Sequence, residues 1–257
     1  MNGFNNKLNT EFYMKLCESE CNKNLNKNKM TLDMEQEQLV SNARVTGVFY
    51  LALAISGVIG FMIFHPQIYV LDDPHKTLTN LITLESISRI RLVFEIIIIV
   101  SQALAAVWFY KLFREINACA AWTVGIWGMM NAAAIMISAI SMGSAIEIAK
   151  SSTQTFQEKI VSIQLLSSLI TNAWGIGSLF FGLWLIPMGY IIVSSKRMPV
   201  WLGRILITGG IGYLLSALIK YIVYDNPFLE LLVIPATVGE FWMIGYLLIY
   251  GIRPLNI

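Results

Sequence analysis

Long runs of apolar residues alternate with short polar segments along most of the chain, and each run is close to the length that a helix needs to cross a bilayer, about 20 residues. The runs are continuously apolar rather than alternating, which favours helices over the strands of a membrane barrel. The predicted spans are Val45–Phe64, Leu92–Tyr110, Cys119–Ile140, Leu165–Val193, Trp201–Tyr224 and Leu229–Tyr250. The pattern predicts an all-α integral membrane bundle of about six transmembrane helices.

The longest connection between predicted spans, residues 65–91, has a helical period of its own. Apolar residues recur at roughly helical spacing after Thr77, which is a candidate N-cap. They are Leu78, Leu81, Ile82, Leu84, Ile87 and Ile90. The pattern predicts an amphipathic helix on the outer membrane interface that leads into the second span. The simpler interpretation is a helix that only packs over the bundle.

Residues 1–40 contrast with the rest, because they are rich in Asn, Lys and Glu and have no sustained apolar period. This composition predicts a disordered polar tail before a transmembrane domain over residues 41–257. Met30 and Met34 lie close to the first span, so either is an alternative translation start to Met1. The first apolar run is long and follows polar residues, so we expect an uncleaved span rather than a signal peptide.

Composition and charge agree with a membrane protein and exclude a basic nucleic-acid binder. Of 257 residues, 56% are hydrophobic and 13% charged, and the net charge is +2. Soluble domains carry about 25% charged residues. We therefore expect the lipid bilayer as a partner and no nucleic acid.

Lysine and arginine favour one side of the predicted bundle. If the N-terminus is inside, the inner segments are very short and basic, whereas the outer ones are longer and also carry acidic residues. The inner basic residues are Arg44, Lys111, Arg114, Lys196, Arg197, Arg204 and Arg253. This bias predicts a multi-pass protein of the cell membrane with both termini in the cytoplasm.

Small residues recur at four-residue spacing within three of the predicted spans. Such rows let helix backbones approach closely in lipid. The rows are Ala52, Ser56 and Gly60, then Gly128 and Ala132, then Thr208, Gly212 and Ser216. They indicate a compact bundle, and a homo-oligomer contact is a second use for them.

Several short stretches, in this order and spacing, resemble a bacterial family of multi-pass membrane proteins that is catalogued only as a domain of unknown function. The stretches are Ala43-Arg44 with Gly47 and Tyr50-Leu51, Tyr110-Lys111-Leu112-Phe113-Arg114 with Asn117, Phe181-Gly182-Leu183 with Gly189-Tyr190, Pro199 with Leu202-Gly203 and Gly212-Tyr213-Leu214, and Pro235 with Gly239-Glu240. Together they cover roughly residues 41–253. The resemblance implies an α-helical membrane bundle and supplies no activity, substrate or cofactor.

Glu240 is the clearest candidate for a functional group, because a charge at the bilayer centre costs about 2.5–3.5 kcal/mol. It lies roughly 16 Å into the last span at 1.5 Å per residue. Pro235 removes one backbone donor nearby and Gly239 permits close backbone approach, which predicts a helix kink beside the carboxyl. Glu240 therefore either forms part of a small binding or proton site or only locks two helices together.

Other polar residues within the spans are candidates for the same site. Gln102, Asn131 and Asn172 lie near mid-depth, where they either face Glu240 or serve as interhelical hydrogen bonds. Glu95 lies nearer the outer end of the second span, one turn past Arg91, and the two are expected to form a local ion pair.

Signatures of enzymes and of metal or cofactor sites are largely missing, and no catalytic residue, metal ligand or cofactor is predicted. Cys17 and Cys21 lack the further ligands of a zinc site. His65 and His75 flank two aspartates in the outer loop, where a solvated turn is favoured over a metal site. The predicted function is an intramembrane polar site that binds or moves a small molecule or ion. The alternatives are a structural or accessory membrane protein and, less favoured, a membrane-embedded enzyme.

Overall fold

The structure is a computed structural model that describes residues 34–222 and 228–254, with side chains from residue 231 onwards in the second range. Over these residues it contains seven α-helices and no strand. They are α1 Met34–Ile68, α2 Pro74–Thr83, α3 Glu85–Phe113, α4 Ala118–Lys150, α5 Phe156–Ser195, α6 Val200–Ile222 and α7 Phe228–Ile249. All but α2 are long and apolar enough to cross a membrane, which confirms the predicted all-α bundle. Residues 1–33 of the predicted tail lie outside the described residues.

The compact unit that carries the candidate site comprises residues 42–257. Within it, each helix from α3 to α7 packs against the next one along the chain. The first helix completes the bundle from two sides. The Tyr50 ring lies edge-on to Phe109 of α3, with 5.4 Å between the ring centroids, and Gly47 lies against Leu248 of α7. The six long helices therefore surround a common interior.

Glycines bring α5 and α6 into backbone contact. A Cβ added to Gly182 would lie 2.8 Å from the Gly210 carbonyl oxygen, and one added to Gly189 would lie 2.5 Å from the Gly203 carbonyl oxygen. In lipid, this close packing replaces the hydrophobic effect as the force that holds helices together. One residue of the small-residue row predicted in α6, Thr208, is exposed and does not take part in this contact.

The end of the bundle that carries the α1–α2 and α4–α5 connections is here called the distal end, and α2 packs against it. Ile68 and the apolar face of α2 pack into a buried cluster with α4 and α5. Its members are Ile68, Leu78, Leu81, Ala145, Ile146, Ala149, Ile160 and Ile163. A helix with one apolar face is therefore present, as the spacing predicts.

Two details of the predicted amphipathic helix are wrong. Its N-cap is Asp73, whose side chain accepts a hydrogen bond from the Lys76 amide at 2.8 Å. Thr77 is instead buried, and its hydroxyl accepts from the Val70 amide at 3.0 Å. The helix also ends before Leu84, whose φ of −111° and ψ of 38° separate α2 from α3. Periodicity alone could not place this break, since apolar spacing continues across it.

A π-helical stretch, Ile59–Phe64, interrupts α1 near its distal end. The His65 amide donates to the Gly60 carbonyl, five residues back, and Pro66 follows without an N–H to continue the α-helical ladder. The Gln67 side chain donates to the Ile63 carbonyl oxygen at 2.7 Å. The proline therefore gives a local reason for the irregular turn, and a side chain satisfies a carbonyl within it.

Replacing Gly189 by Ala should destabilise the bundle by about 1–3 kcal/mol, because the added Cβ meets rigid backbone of α6. The measurement is thermal unfolding of the purified protein in detergent. Gly245→Ala is the matched control, since nothing lies within 4 Å of its added Cβ. The control should stay within about 0.5 kcal/mol of the parent. Equal stability of the two variants would contradict the close α5–α6 contact.

Candidate functional site

A cavity of about 250 Å³ lies in the interior around Glu240, and all six long helices contribute to its lining. Three of the predicted polar residues meet there, namely Glu240 of α7, Gln102 of α3 and Asn131 of α4. The other prominent lining groups are aromatic. They are Tyr50, Trp174, Phe181, Tyr213 and Phe241. The cavity, here called the Glu240 cavity, thus combines one carboxyl and two amides with aromatic walls.

Tyr50 holds the Glu240 carboxyl in place. The Tyr50 hydroxyl donates to Glu240 Oε1 at 2.5 Å, and Tyr50 itself is 2% exposed. Among the described residues, Glu240 makes no ion pair. A half-buried carboxyl with one phenol donor still has an unused acceptor oxygen, and that oxygen belongs to a group that lines the cavity.

Gln102 is the most unusual of the polar groups around the cavity. It is completely buried, and within the described part of the chain neither its amide nitrogen nor its amide oxygen has a hydrogen-bond partner. Such a group costs free energy unless a water or a ligand meets it. Asn131 is 3% exposed, and Gly177 lies so close that an added Cβ would be 3.0 Å from its Oδ1. Both amides are therefore buried side chains that line the cavity.

Packed aromatic rings lie beside the cavity. Trp184 of α5 is completely buried, and its ring stands edge-on to those of Tyr50 and Phe109, with centroid distances of 5.5 Å and 5.6 Å. Phe181 packs on Trp184 from the same helix at 5.5 Å. These rings fix the orientation of Tyr50, since their edge-to-face contacts restrict its rotation.

Arg91 and Glu95 form the expected ion pair, and it is buried rather than at an exposed interface. Arg91 Nη1 lies 2.8 Å from Glu95 Oε2, and both side chains are 0% exposed. Trp174 Nε1 donates to the other carboxyl oxygen, Oε1, at 2.9 Å. Gly60 of α1 makes room for the guanidinium, because an added Cβ would be 3.4 Å from Arg91 Nη1. Trp174 therefore connects this pair to the Glu240 cavity.

A second cavity, of about 590 Å³, lies at the distal end and is here called the distal cavity. Its lining includes several polar side chains, among them His65, Asp72, Asp73 and Asn172. Asp72 has a left-handed backbone, with φ of 58°. Tyr69 also lines this cavity, and burial raises the pKa of its phenol well above the usual range.

The prediction that Asn172 joins the Glu240 cluster is wrong in its placement. Asn172 is exposed and lines the distal cavity, because it lies on a different face of α5 from Trp174 and Gly177. Sequence reasoning also missed Tyr50, Trp174 and Tyr213 as lining groups. The signal in the sequence was a polar O–H or N–H on each of these rings within an apolar run. It was missed because aromatic residues in membrane spans are usually assigned to packing.

The residues predicted to kink α7 lie inside a continuous helix, at a close contact with α6. Pro235 is within Phe228–Ile249, and Gly209 and Gly212 of α6 face the α7 backbone at Ala236 and Leu232. Gly239 approaches Leu206, with 3.0 Å from an added Cβ to Cδ2. This contact fixes the segment of α7 that carries Glu240.

Comparison with known proteins gives a family but no activity. A family model described as a domain of unknown function, DUF4386, matches residues 45–251. The chain belongs to the DUF4386 family. The matched region includes both cavities and reaches all six candidate spans, which confirms the resemblance to a family of unknown function. Neither the curated proteins nor the solved structures gave a match.

Candidate metal ligands are not clustered within the described part of this DUF4386 chain. No group of three or more His, Cys, Asp or Glu side chains there is placed to hold a metal ion. His65 stacks on Phe61 and Tyr69 instead, with centroid distances of 4.8 Å and 5.0 Å. Cys17 and Cys21 lie outside the described residues.

Replacing Arg91 by Met should destabilise the DUF4386 chain by about 3–5 kcal/mol, because it leaves Glu95 buried without a counter-charge. The double variant Arg91→Met with Glu95→Leu should recover most of that loss, since it removes both charges. Thermal unfolding in detergent measures both. Arg89→Ala breaks a pair whose arginine is 58% exposed and should cost at most about 1 kcal/mol. An Arg91 effect as small as the Arg89 effect would contradict the buried pair.

Proposed function

We propose that this membrane protein binds a small organic cation, such as an alkylammonium, in the Glu240 cavity. The observation that carries the proposal is a carboxyl at membrane depth that faces an aromatic-walled cavity and makes no ion pair among the described residues. A carboxylate there needs a compensating charge or proton. A cationic ligand supplies that charge, and it occupies the space in front of the carboxyl.

The walls of the cavity suit a cation that carries apolar groups. Trp, Tyr and Phe rings attract cations through their electron-rich faces, and the attraction strengthens where water is excluded. Five aromatic side chains contributed by α1, α5, α6 and α7 line the cavity. A bare metal ion would instead prefer several oxygen ligands. The lining therefore favours an organic cation over a metal ion.

The amides add a means of orientation. Gln102 has an unpaired donor and an unpaired acceptor within the described residues, and Asn131 lies on the same cavity. A primary or secondary ammonium could donate one hydrogen bond to Glu240 and another to an amide oxygen. The volume of about 250 Å³ limits the ligand to a small molecule.

A structural role is the second candidate, and the Arg91–Glu95 pair favours it. This pair and Trp174 Nε1 satisfy both carboxyl oxygens internally, as expected of groups that only hold helices together. If Glu240 acts in the same way, Glu240→Gln should lower the stability of the protein, and neither the parent nor the variant should bind an ammonium ligand. The Lys and Arg bias supports placing both termini in the cytoplasm in either case.

The test is to titrate the full-length protein in lipid nanodiscs with methylammonium and, separately, with tetramethylammonium. Tryptophan fluorescence reports the binding, because Trp174 lines the cavity. Saturable binding is expected, with sodium chloride at equal ionic strength giving no such response. Glu240→Gln should weaken methylammonium binding by about tenfold or more, since charged hydrogen bonds contribute about 1.5–3 kcal/mol. Tetramethylammonium has no N–H, and it should also bind more weakly because the opposite charge is lost.

Glu147→Gln is the matched control, because it removes an exposed carboxyl of α4 that does not line the cavity. It should bind like the parent. Binding that is equally strong in Glu240→Gln, or no saturable response to either ammonium, would remove the support for a cation site. Reduced stability of Glu240→Gln without any ligand response would favour the structural role.

A further inference from the structure

The distal cavity and the Glu240 cavity follow one another along a single helix. Residues 164–172 of α5 contribute to the distal cavity, and residues 174–181 contribute to the Glu240 cavity. Trp174 is the first α5 residue on the inner side, and Asn172 is the last on the distal side. The two spaces are therefore separated along α5 by less than one helical turn.

The first helix repeats this arrangement. Residues 50–58 of α1 line the Glu240 cavity, and residues 65–70 contribute to the distal cavity. The segment between them is the π-helical stretch Ile59–Phe64. Phe61 belongs to this stretch, and its ring lies edge-on to that of Trp174, with centroids 4.9 Å apart. The partition between the cavities thus includes an aromatic contact between α1 and α5.

We propose that the distal cavity is the access route to the Glu240 cavity, and that Phe61 and Trp174 form a gate between them for a small cation. This inference rests on the proposed function. It adds that the protein admits its ligand from the distal end rather than binding it in a sealed interior.

The Phe61 ring is packed against its neighbours while the gate is closed. Arg91 Cζ lies 5.7 Å from its centroid, and His65 stacks on it at 4.8 Å. The distal cavity carries Asp72 and Asp73. A cation that passes the gate would therefore move from acidic side chains, past aromatic rings, to the Glu240 carboxyl.

The structure also gives the gate a means to stay shut and space in which to open. The Trp174 N–H is held by Glu95, which is held in turn by Arg91. On the Glu240 side of the gate, nothing lies within 4 Å of a Cβ added to Gly57. Gly57 lies one helical turn before Phe61, so there is open space next to the Phe61 ring on the same helix.

The test is thiol labelling in proteoliposomes with a membrane-impermeant quaternary-ammonium methanethiosulfonate, applied to both faces. The background variant has Ser at Cys17, Cys21 and Cys119. Gly57→Cys reports on the Glu240 cavity, and Ser168→Cys reports on the distal cavity. Gly57→Cys should react slowly while the gate is closed. Adding Trp174→Ala should speed its reaction by at least about tenfold, because open minor states are populated at about 0.1–10%.

Ser168→Cys should react at the same rate with and without Trp174→Ala. Trp122→Ala is the matched control, since that tryptophan is 60% exposed and lies away from the gate. If Trp174→Ala fails to fold, Phe61→Ala opens the same partition from α1 and should give the same acceleration. Unchanged Gly57→Cys labelling in a folded gate variant would overturn the proposal. The labelling needs no bound ligand, so failure of the gate and failure of the cation site are separable outcomes.

Discussion

A carboxyl at membrane depth must have a partner, and the structure meets this constraint in two different ways. Glu95 is fully satisfied, because Arg91 and Trp174 occupy both of its oxygens in a site without exposure. Among the described residues, Glu240 is hydrogen-bonded only by the Tyr50 hydroxyl, and it lines a cavity. Burying a charge costs free energy, and the pairing of Glu95 with Arg91 offsets that cost and holds helices together. The Glu240 carboxyl has no such pairing among the described residues, and the cavity beside it leaves room for a ligand. The contrast between two carboxyls in one bundle supports a binding role for Glu240.

The helices pack more closely on one side of the bundle than on the other. Glycines bring α5, α6 and α7 into backbone contact, as at Gly189 with Gly203 and at Gly209 with Ala236. On the other side, large rings such as Phe61 and Trp174 span the distance between α1 and α5. The close contacts of α7 with α6 hold the Glu240 backbone in place, because α7 cannot shift without clashes.

The sequence predicts the membrane bundle well, since long apolar runs force helices in lipid. Depth counted from the span ends also predicts that Glu240, Gln102 and Asn131 share one level, and they meet at the same cavity. Depth does not give the rotation of each helix about its axis. The rotation of α5 directs Asn172 to the distal cavity rather than to the Glu240 cavity. The Tyr50–Glu240 contact joins residues 190 positions apart, and no local pattern in either helix specifies such a pairing.

The π-helical stretch in α1 has a consequence for how this protein tolerates change in length. Such a stretch holds one residue more than the α-helix that it interrupts. Deleting a single residue within Ile59–Phe64 would let the ladder become regular, and the residues on either side would stay on nearly the same faces of α1. Tyr50 and His65 could then both keep their present neighbours. The same deletion in a regular part of a transmembrane helix would turn its two halves by about 100° relative to each other, so this stretch is where α1 can lose a residue without separating its two ends from their contacts.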